Sequence, residues 1–199
     1  MSGHGFLGVP VHTAEAQLVF DEDISEVGHV MNVSRLWAYQ PALLNQFFDL
    51  IRQTATTYGL SMRHRGILVA ACASAIGDSY CSLAWGTRLA AASDAQTAAG
   101  VLRGDDEGLT SGERVMAEWA RKIARNPNAT TAADVKILRD AGYSDDQIFG
   151  TTVFVGLRIA FSTINDALGA RPDVAFLELA PASVLDAVDF GRAIDDGAP

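Results

Sequence analysis

The run Ser61-Met62-Arg63-His64-Arg65-Gly66-Ile67-Leu68-Val69-Ala70-Ala71-Cys72-Ala73-Ser74-Ala75-Ile76, closed by Gly77 and followed by Asp78-Ser79-Tyr80-Cys81-Ser82-Leu83-Ala84-Trp85-Gly86, sets the architecture of this chain. From Ile67 to Ala75 the side chains are apolar or small on every side, and a helix of that kind is buried. Gly77 breaks the run, and Asp78 is a good N-cap for a second helix reaching about Ala92. Small side chains on both arms allow close packing, so this helix–turn–helix is expected at the centre of the fold.

On the N-terminal side, Pro41 opens a helix in which Leu43, Leu44, Phe47, Phe48 and Ile51 recur at helical spacing, ending near Gly59. Asp21 to Tyr39 reads as one or two short helices. Val11 to Phe20 shows no clear period, and residues 1–20 are set apart as a loosely ordered segment before a single domain over 21–199.

On the C-terminal side, Ser93 and Gln96 can form a capping box for a short helix ending near Leu102. Arg103 to Gly108 is a charged loop. Thr110 and Glu113 form another capping box, opening a helix with Val115, Met116, Trp119 and Ile123 inward and Glu118, Arg121, Lys122 and Arg125 outward. Thr131 to Ala141 makes a further helix, stopped by Gly142. Ser144 and Gln147 cap a long one that carries Ile148, Phe149, Val153, Val155, Ile159 and Ile164 and ends at Gly169. A last helix is expected from Ala182 to Ile194. The fold class is all-α, helix pairs joined by short loops.

The bulk composition narrows the function classes. The chain has 199 residues, 49% hydrophobic, with 15 Lys plus Arg against 24 Asp plus Glu and a formal charge of −9. That charge repels phosphate backbones and argues against a nucleic-acid partner. The longest apolar stretch, Gly66 to Ile76, is short of the roughly 20 residues a bilayer crossing needs, so no membrane partner is expected. Met1 to Pro10 does not read as a signal peptide. Two cysteines make no disulfide framework, and a cytoplasmic protein is expected.

Cys81 is the residue with the clearest chemical promise. With Asp78 as N-cap it takes the third helical position, near unpaired N–H groups and the positive helix end, which favour the thiolate. Asp78, one turn earlier, opposes this. The residues alone also fit Cys81 as packing, because free cysteine is among the most buried side chains. Cys72 stands roughly level with Cys81 across the turn and reads as core. His64, between Arg63 and Arg65, either serves the thiol or is a solvated basic helix start, the latter being favoured. No spacing suggests a metal site, and there is no phosphate loop, nucleophile elbow or cofactor motif.

The frame from Arg63 through Val69, the Gly turn and Tyr80-Cys81 resembles the alkylhydroperoxidase D / carboxymuconolactone decarboxylase superfamily. So do Leu109-Thr110-Ser111-Gly112-Glu113-Arg114, Leu138 to Asp145 and Ile164 to Gly169, which resemble its peroxidase-related branch. The likeness spans roughly residues 30 to 172. It implies a helical fold around the helix–turn–helix, a small-molecule substrate and a homo-oligomer, and a one-cysteine version would use an external thiol as reductant. In that family a glutamate precedes a Cys-x-x-Cys, and a histidine follows it. Position by position, the second cysteine is Cys81, the first is Asp78, the histidine is Trp85 and the glutamate is Gly66.

Asp78 cannot form the family's disulfide, and neither Trp85 nor Gly66 can relay protons at neutral pH. Three readings follow. The first is a thiol peroxidase using Cys81 alone. The second is a decarboxylase-like lyase, with Asp78, Tyr80 and Trp85 lining a pocket and Arg63 or Arg65 holding a carboxylate. The third is a catalytically silent protein that binds or assembles. Phe47, Phe48, Phe149, Phe154 and Phe161 are also hard to place together in one core, which agrees with a subunit contact.

Overall fold

The computed structural model describes residues 5–196. It is 70% helical, with no strand among the described residues. The helices are α1 (Ala14–Val27), α2 (Asn32–Trp37), α3 (Pro41–Thr57), α4 (Met62–Ile76), α5 (Ser79–Ala92), α6 (Ala95–Arg103), α7 (Ser111–Arg125), α8 (Ala132–Asp140), α9 (Asp145–Ala167), α10 (Phe176–Leu179) and α11 (Ala182–Ala187).

The middle of the molecule is α4. Every residue from Ile67 to Ala73 is fully buried, because α5, α6, α7 and α9 all pack on this one helix. Gly77 ends it in the left-handed region (φ 78°), where its N–H turns back to the carbonyls of Ala73 and Ser74. A residue with a Cβ would be strained in that conformation. Asp78 then starts α5, its Oδ1 accepting from the Cys81 N–H at 2.9 Å. The two arms lie very close: a Cβ on Gly66 would stand 3.0 Å from the Leu89 Cβ. A Cβ there would crowd Leu89, so the glycine permits this close approach of α4 and α5.

Capping boxes form at Thr110/Glu113, Thr131/Asp134 and Ser144/Gln147. The expected box at Ser93 is displaced by one residue: Asp94 is the N-cap, accepting from the N–H groups of Gln96 and Thr97. A carboxylate reaching two donors outcompetes the serine hydroxyl, which donates to Leu89 O instead.

Four other expectations are corrected. Of the segment 1–20, residues 1–4 lie outside the described residues, but Ala14 to Phe20 is already helix, with Ala16 and Val19 buried. Thr13 caps it by accepting from the Ala16 N–H. The last helix stops at Ala187, and the following segment packs back as coil, its Asp195 N–H donating to Pro172 O at 2.8 Å. Arg121 does not face solvent; it is 3% exposed, held by Asp106 through two bonds of 2.7 Å. The five phenylalanines also divide: Phe154 and Phe161 are buried, Phe47 and Phe48 pack against the core, and only Phe149 is left out, 62% exposed.

Among the described residues, α9 alone is long and apolar enough to cross a membrane by length and composition. Its Phe154, Val155 and Phe161 are buried, and the helix packs against α3, α4 and α7.

Candidate functional site

Cys81 sits on the first turn of α5, 1% exposed, and Cys72 on α4 is fully buried; both are free thiols. The decisive neighbour is Arg158 of α9. Its Nη2 lies 3.6 Å from the Cys81 Sγ. The same guanidinium stands 5.1 Å from the Trp85 ring centroid and 5.2 Å from that of Phe161. Arg88 takes another approach to Trp85 at 5.3 Å. Trp85 is thus an indole that seats two guanidiniums, and a fixed positive charge comes to the sulfur from a different helix.

Asp78, Arg158 and Ser162 meet the Cys81 thiol, and Ser82 and Asn165 are buried polar neighbours of theirs along α5 and α9. Asp78, Ser82, Arg158, Ser162 and Asn165 are each at most 3% exposed. Ser82 Oγ, Arg158 Nε and Asn165 Nδ2 have no hydrogen-bond partner within the protein, while Asp78 and Ser162 both bear on the Cys81 thiol. Buried polar atoms are rarely left so, and a group of them in one place points to a function other than packing. Asn165 is partly anchored, its Oδ1 accepting from Trp37 Nε1 at 2.8 Å.

The electrostatics oppose one another. Burial, and next the Asp78 carboxylate, push the Cys81 thiol far up, while Arg158 and Ser162 pull it down. Burial wins, so the helix-start argument for a resting thiolate does not hold: the free energy of desolvation exceeds that of the helix dipole. Cys72 is pushed up to about 12, again by burial first, with Arg158 opposing. One guanidinium therefore bears on both thiols.

The other sequence-derived candidates separate from this centre. Tyr80 points its hydroxyl at Asp173, to which it donates. Asp173 in turn accepts from the Asn32 N–H at 2.7 Å, so Tyr80 ties α5 to α2 rather than lining a pocket with Cys81. His64 is on the first turn of α4, about 12 Å further along the axis than Cys72 at about 1.5 Å per residue, and is not brought to the thiol. Gly66 faces Leu89. Arg63 is engaged by Glu113 at 2.6 Å, and Arg65 donates its Nε to the Leu60 carbonyl at 3.0 Å. Among the described residues no group of three or more His, Cys, Asp or Glu is placed to hold a metal ion.

Sequence reasoning missed Arg158, Ser162 and Asn165. The available signal was a single arginine inside the otherwise uncharged stretch Ile148 to Asn165. A lone charge in a buried helix needs a partner, and that partner here is the thiol site.

The role of Asp78 gives a direct test. Asp78→Ala is expected to cost about 1 kcal/mol through loss of the cap. It also removes the charge that most opposes ionisation after burial, so Cys81 should alkylate faster with iodoacetamide at neutral pH. Unchanged unfolding together with unchanged alkylation would contradict the placement of Asp78.

No protein-family model and no curated protein matches the chain. Solved structures do. An uncharacterized peroxidase-related protein from Silicibacter sp. TM1040 superposes with a TM-score of 0.75 at 22% identity, over 88% of this chain and 95% of its own. An alkylhydroperoxidase AhpD core protein from Ralstonia eutropha JMP134, also peroxidase-related, gives 0.75 at 20% identity, over 90% and 97%. A cysteine-to-alanine variant of the debrominase Bmp8, in complex with 2,3,4-tribromopyrrole, gives 0.72 at 16% identity, over 92% and 97%. At these identities the likeness is one of architecture, and it covers nearly the whole molecule: the chain has the alkylhydroperoxidase D-like fold.

Proposed function

We propose that the chain is a thiol-dependent oxidoreductase that reduces a small hydroperoxide at Cys81 with an external thiol. The observation that carries this reading is Arg158 against the Cys81 sulfur, within a buried polar cluster that packing alone does not require. The cytoplasm, where such thiol reductants are kept reduced, is the compartment that suits it.

The chemistry balances with the residues present. The thiol proton passes to Asp78, and the sulfur attacks the terminal peroxide oxygen as the S–O bond forms and the O–O bond breaks. The leaving alkoxide takes up a proton, giving an alcohol and the Cys81 sulfenic acid. Arg158 holds negative charge on the sulfur during ionisation. A small-molecule thiol then attacks the sulfenic sulfur, releasing water and forming a mixed disulfide. A second equivalent frees Cys81 and leaves with the first as their disulfide. Cys72 is not required.

The test is hydroperoxide consumption with a low-molecular-weight dithiol in the wild type, Cys81→Ser and Cys72→Ser. The reading expects loss of turnover in Cys81→Ser only. Equal rates in all three would remove it. Because a debrominase shares the fold, a bromopyrrole is the second substrate to offer in the same assay.

A second reading has one observation in its favour. Cys81 is 1% exposed and Trp85 is covered by two guanidiniums, which fits a protein that kept the fold and lost the chemistry. It expects no turnover on any hydroperoxide and no modification of Cys81. Against the lyase reading, Tyr80 donates to Asp173 and Arg63 is paired with Glu113.

A further inference from the structure

We propose that Arg88 and Arg158 form an anion seat beside the Cys81 sulfur, so that the hydroperoxide this site takes carries a carboxylate several bonds from its peroxide group. The substrate class rests on the thiol reading above; the seat itself does not.

Two like charges converge on one ring. The Arg88 guanidinium stands 5.3 Å from the Trp85 centroid, and that of Arg158, which comes from α9, stands 5.1 Å from it. An indole attracts each of them, but it is no countercharge and offers no acceptor to their N–H groups. Each guanidinium has five such donors. Arg158 directs Nη2 at the Cys81 sulfur, 3.6 Å away, and its buried Nε has no partner. Arg88 directs Nη1 at the Ala84 carbonyl, at 3.3 Å. Among the described residues neither arginine makes an ion pair.

The carboxylates nearby do not fill that need. Glu26 of α1 acts on Arg88 from a distance and is itself exposed. Asp78 acts on the thiol, its Oδ1 accepting from the Cys81 N–H, and pairs with neither arginine. Burial first, and then the charge of Arg158, press the Arg88 guanidinium below its usual value, as expected of like charges held together. A guanidinium does not give up its proton inside a protein. An anion brought in from outside is what relieves the repulsion, and a carboxylate matches the fork of N–H groups best.

The placement along α5 sets the spacing. Cys81, Trp85 and Arg88 stand at i, i+4 and i+7, on one face of the helix. The rise from the first to the last is about 10 Å. Cys81 and Arg158 are 1% and 3% exposed, whereas Trp85 and Arg88 are half-buried. The acid group of a ligand therefore meets Arg88 on the solvent side while its peroxide meets the sulfur, with the Trp85 ring as apolar surface for the carbons between them.

The binding probe is para-isopropylbenzoate, an unreactive carboxylate, with para-isopropylbenzamide as its neutral counterpart. Both are titrated by calorimetry into the wild type, Arg88→Met and Arg88→Lys. The wild type is expected to bind the carboxylate about thirtyfold more tightly than the amide, the scale of one charge-assisted hydrogen bond. Arg88→Met should bind the two alike, and Arg88→Lys should keep most of the preference. The reactive pair is para-carboxycumene hydroperoxide and its methyl ester, scored by sulfenic acid at Cys81. The acid is expected to react faster by a similar factor in the wild type, with the ratio falling towards one in Arg88→Met. A wild type that does not prefer the carboxylate, or a preference that Arg88→Met retains, overturns the seat and leaves the Cys81 chemistry standing. Equal rates for acid and ester in the wild type overturn the substrate class. Carboxylate binding that depends on Arg88, in a protein whose Cys81 no hydroperoxide oxidises, supports the seat and removes the thiol reading.

Discussion

Replacing Arg158 with methionine is expected to slow oxidation of Cys81 by peroxide by about a hundredfold, the scale of losing one charge-stabilising donor, while barely changing stability. The reason lies in the burial of the guanidinium. Arg158 is 3% exposed, its Nε has no partner, and its nearest polar contact is a sulfur rather than a carboxylate. Removing such a buried charge for an apolar side chain of similar length returns about 1–4 kcal/mol. Against this stand two lost ring contacts, with Trp85 and Phe161, worth about 1–2 kcal/mol each when desolvated. The two effects largely cancel, and a net change below about 2 kcal/mol is expected from the shift in urea midpoint at constant slope. Arg158→Met that unfolds much earlier, with Cys81 still fully reactive, would show that Arg158 is a structural residue. A side chain that costs stability where it sits but serves the sulfur is the pattern of a functional site.

The largest loss of stability is expected elsewhere, in Asp106→Ala. Arg121 is as deeply buried as Arg158 but is fully partnered: Asp106 meets it with two bonds of 2.7 Å, and the Val101 carbonyl accepts a third at 3.0 Å. Truncating Asp106 leaves a buried guanidinium with only the exposed Glu118 carboxylate, at 3.8 Å, as countercharge, a loss of about 3 kcal/mol. Adding Arg121→Met to Asp106→Ala removes the stranded charge and is expected to recover most of the loss. Urea unfolding of the two single variants and the double measures this coupling. A loss below about 1 kcal/mol in Asp106→Ala would mean that solvent reaches Arg121.

These two arginines also mark where the sequence stops being legible. The central pair α4 and α5 can be read directly, because a run such as Ile67 to Ala73 has no polar side to give to water. The caps at Asp78, Thr110 and Ser144 are legible for a related reason: donor and acceptor are three residues apart, so local spacing fixes them. Arg121 defeats the same reasoning, since its helix face is set by a carboxylate 15 residues away. Arg158 defeats it more completely. The sulfur that it meets is 77 positions distant, and no periodicity links them. The site was therefore half legible: Asp78 and Cys81 follow from the start of α5, whereas the positive charge comes from α9. Tyr80 and His64 are near Cys81 in sequence or in motif, but neither side chain is aimed at its sulfur. Tyr80 turns to Asp173, and His64 stands at the far end of α4.

The central claim is that Cys81 is the reacting thiol, and the measurement that bears on it most directly is site-resolved trapping of sulfenic acid. The folded protein is exposed to hydrogen peroxide with a dimedone-type trap present, then digested and mapped by mass spectrometry. The account predicts the adduct on Cys81, none on Cys72, and loss of the signal in Arg158→Met. An unmodified Cys81 in folded wild-type protein, or an adduct confined to Cys72, would contradict it.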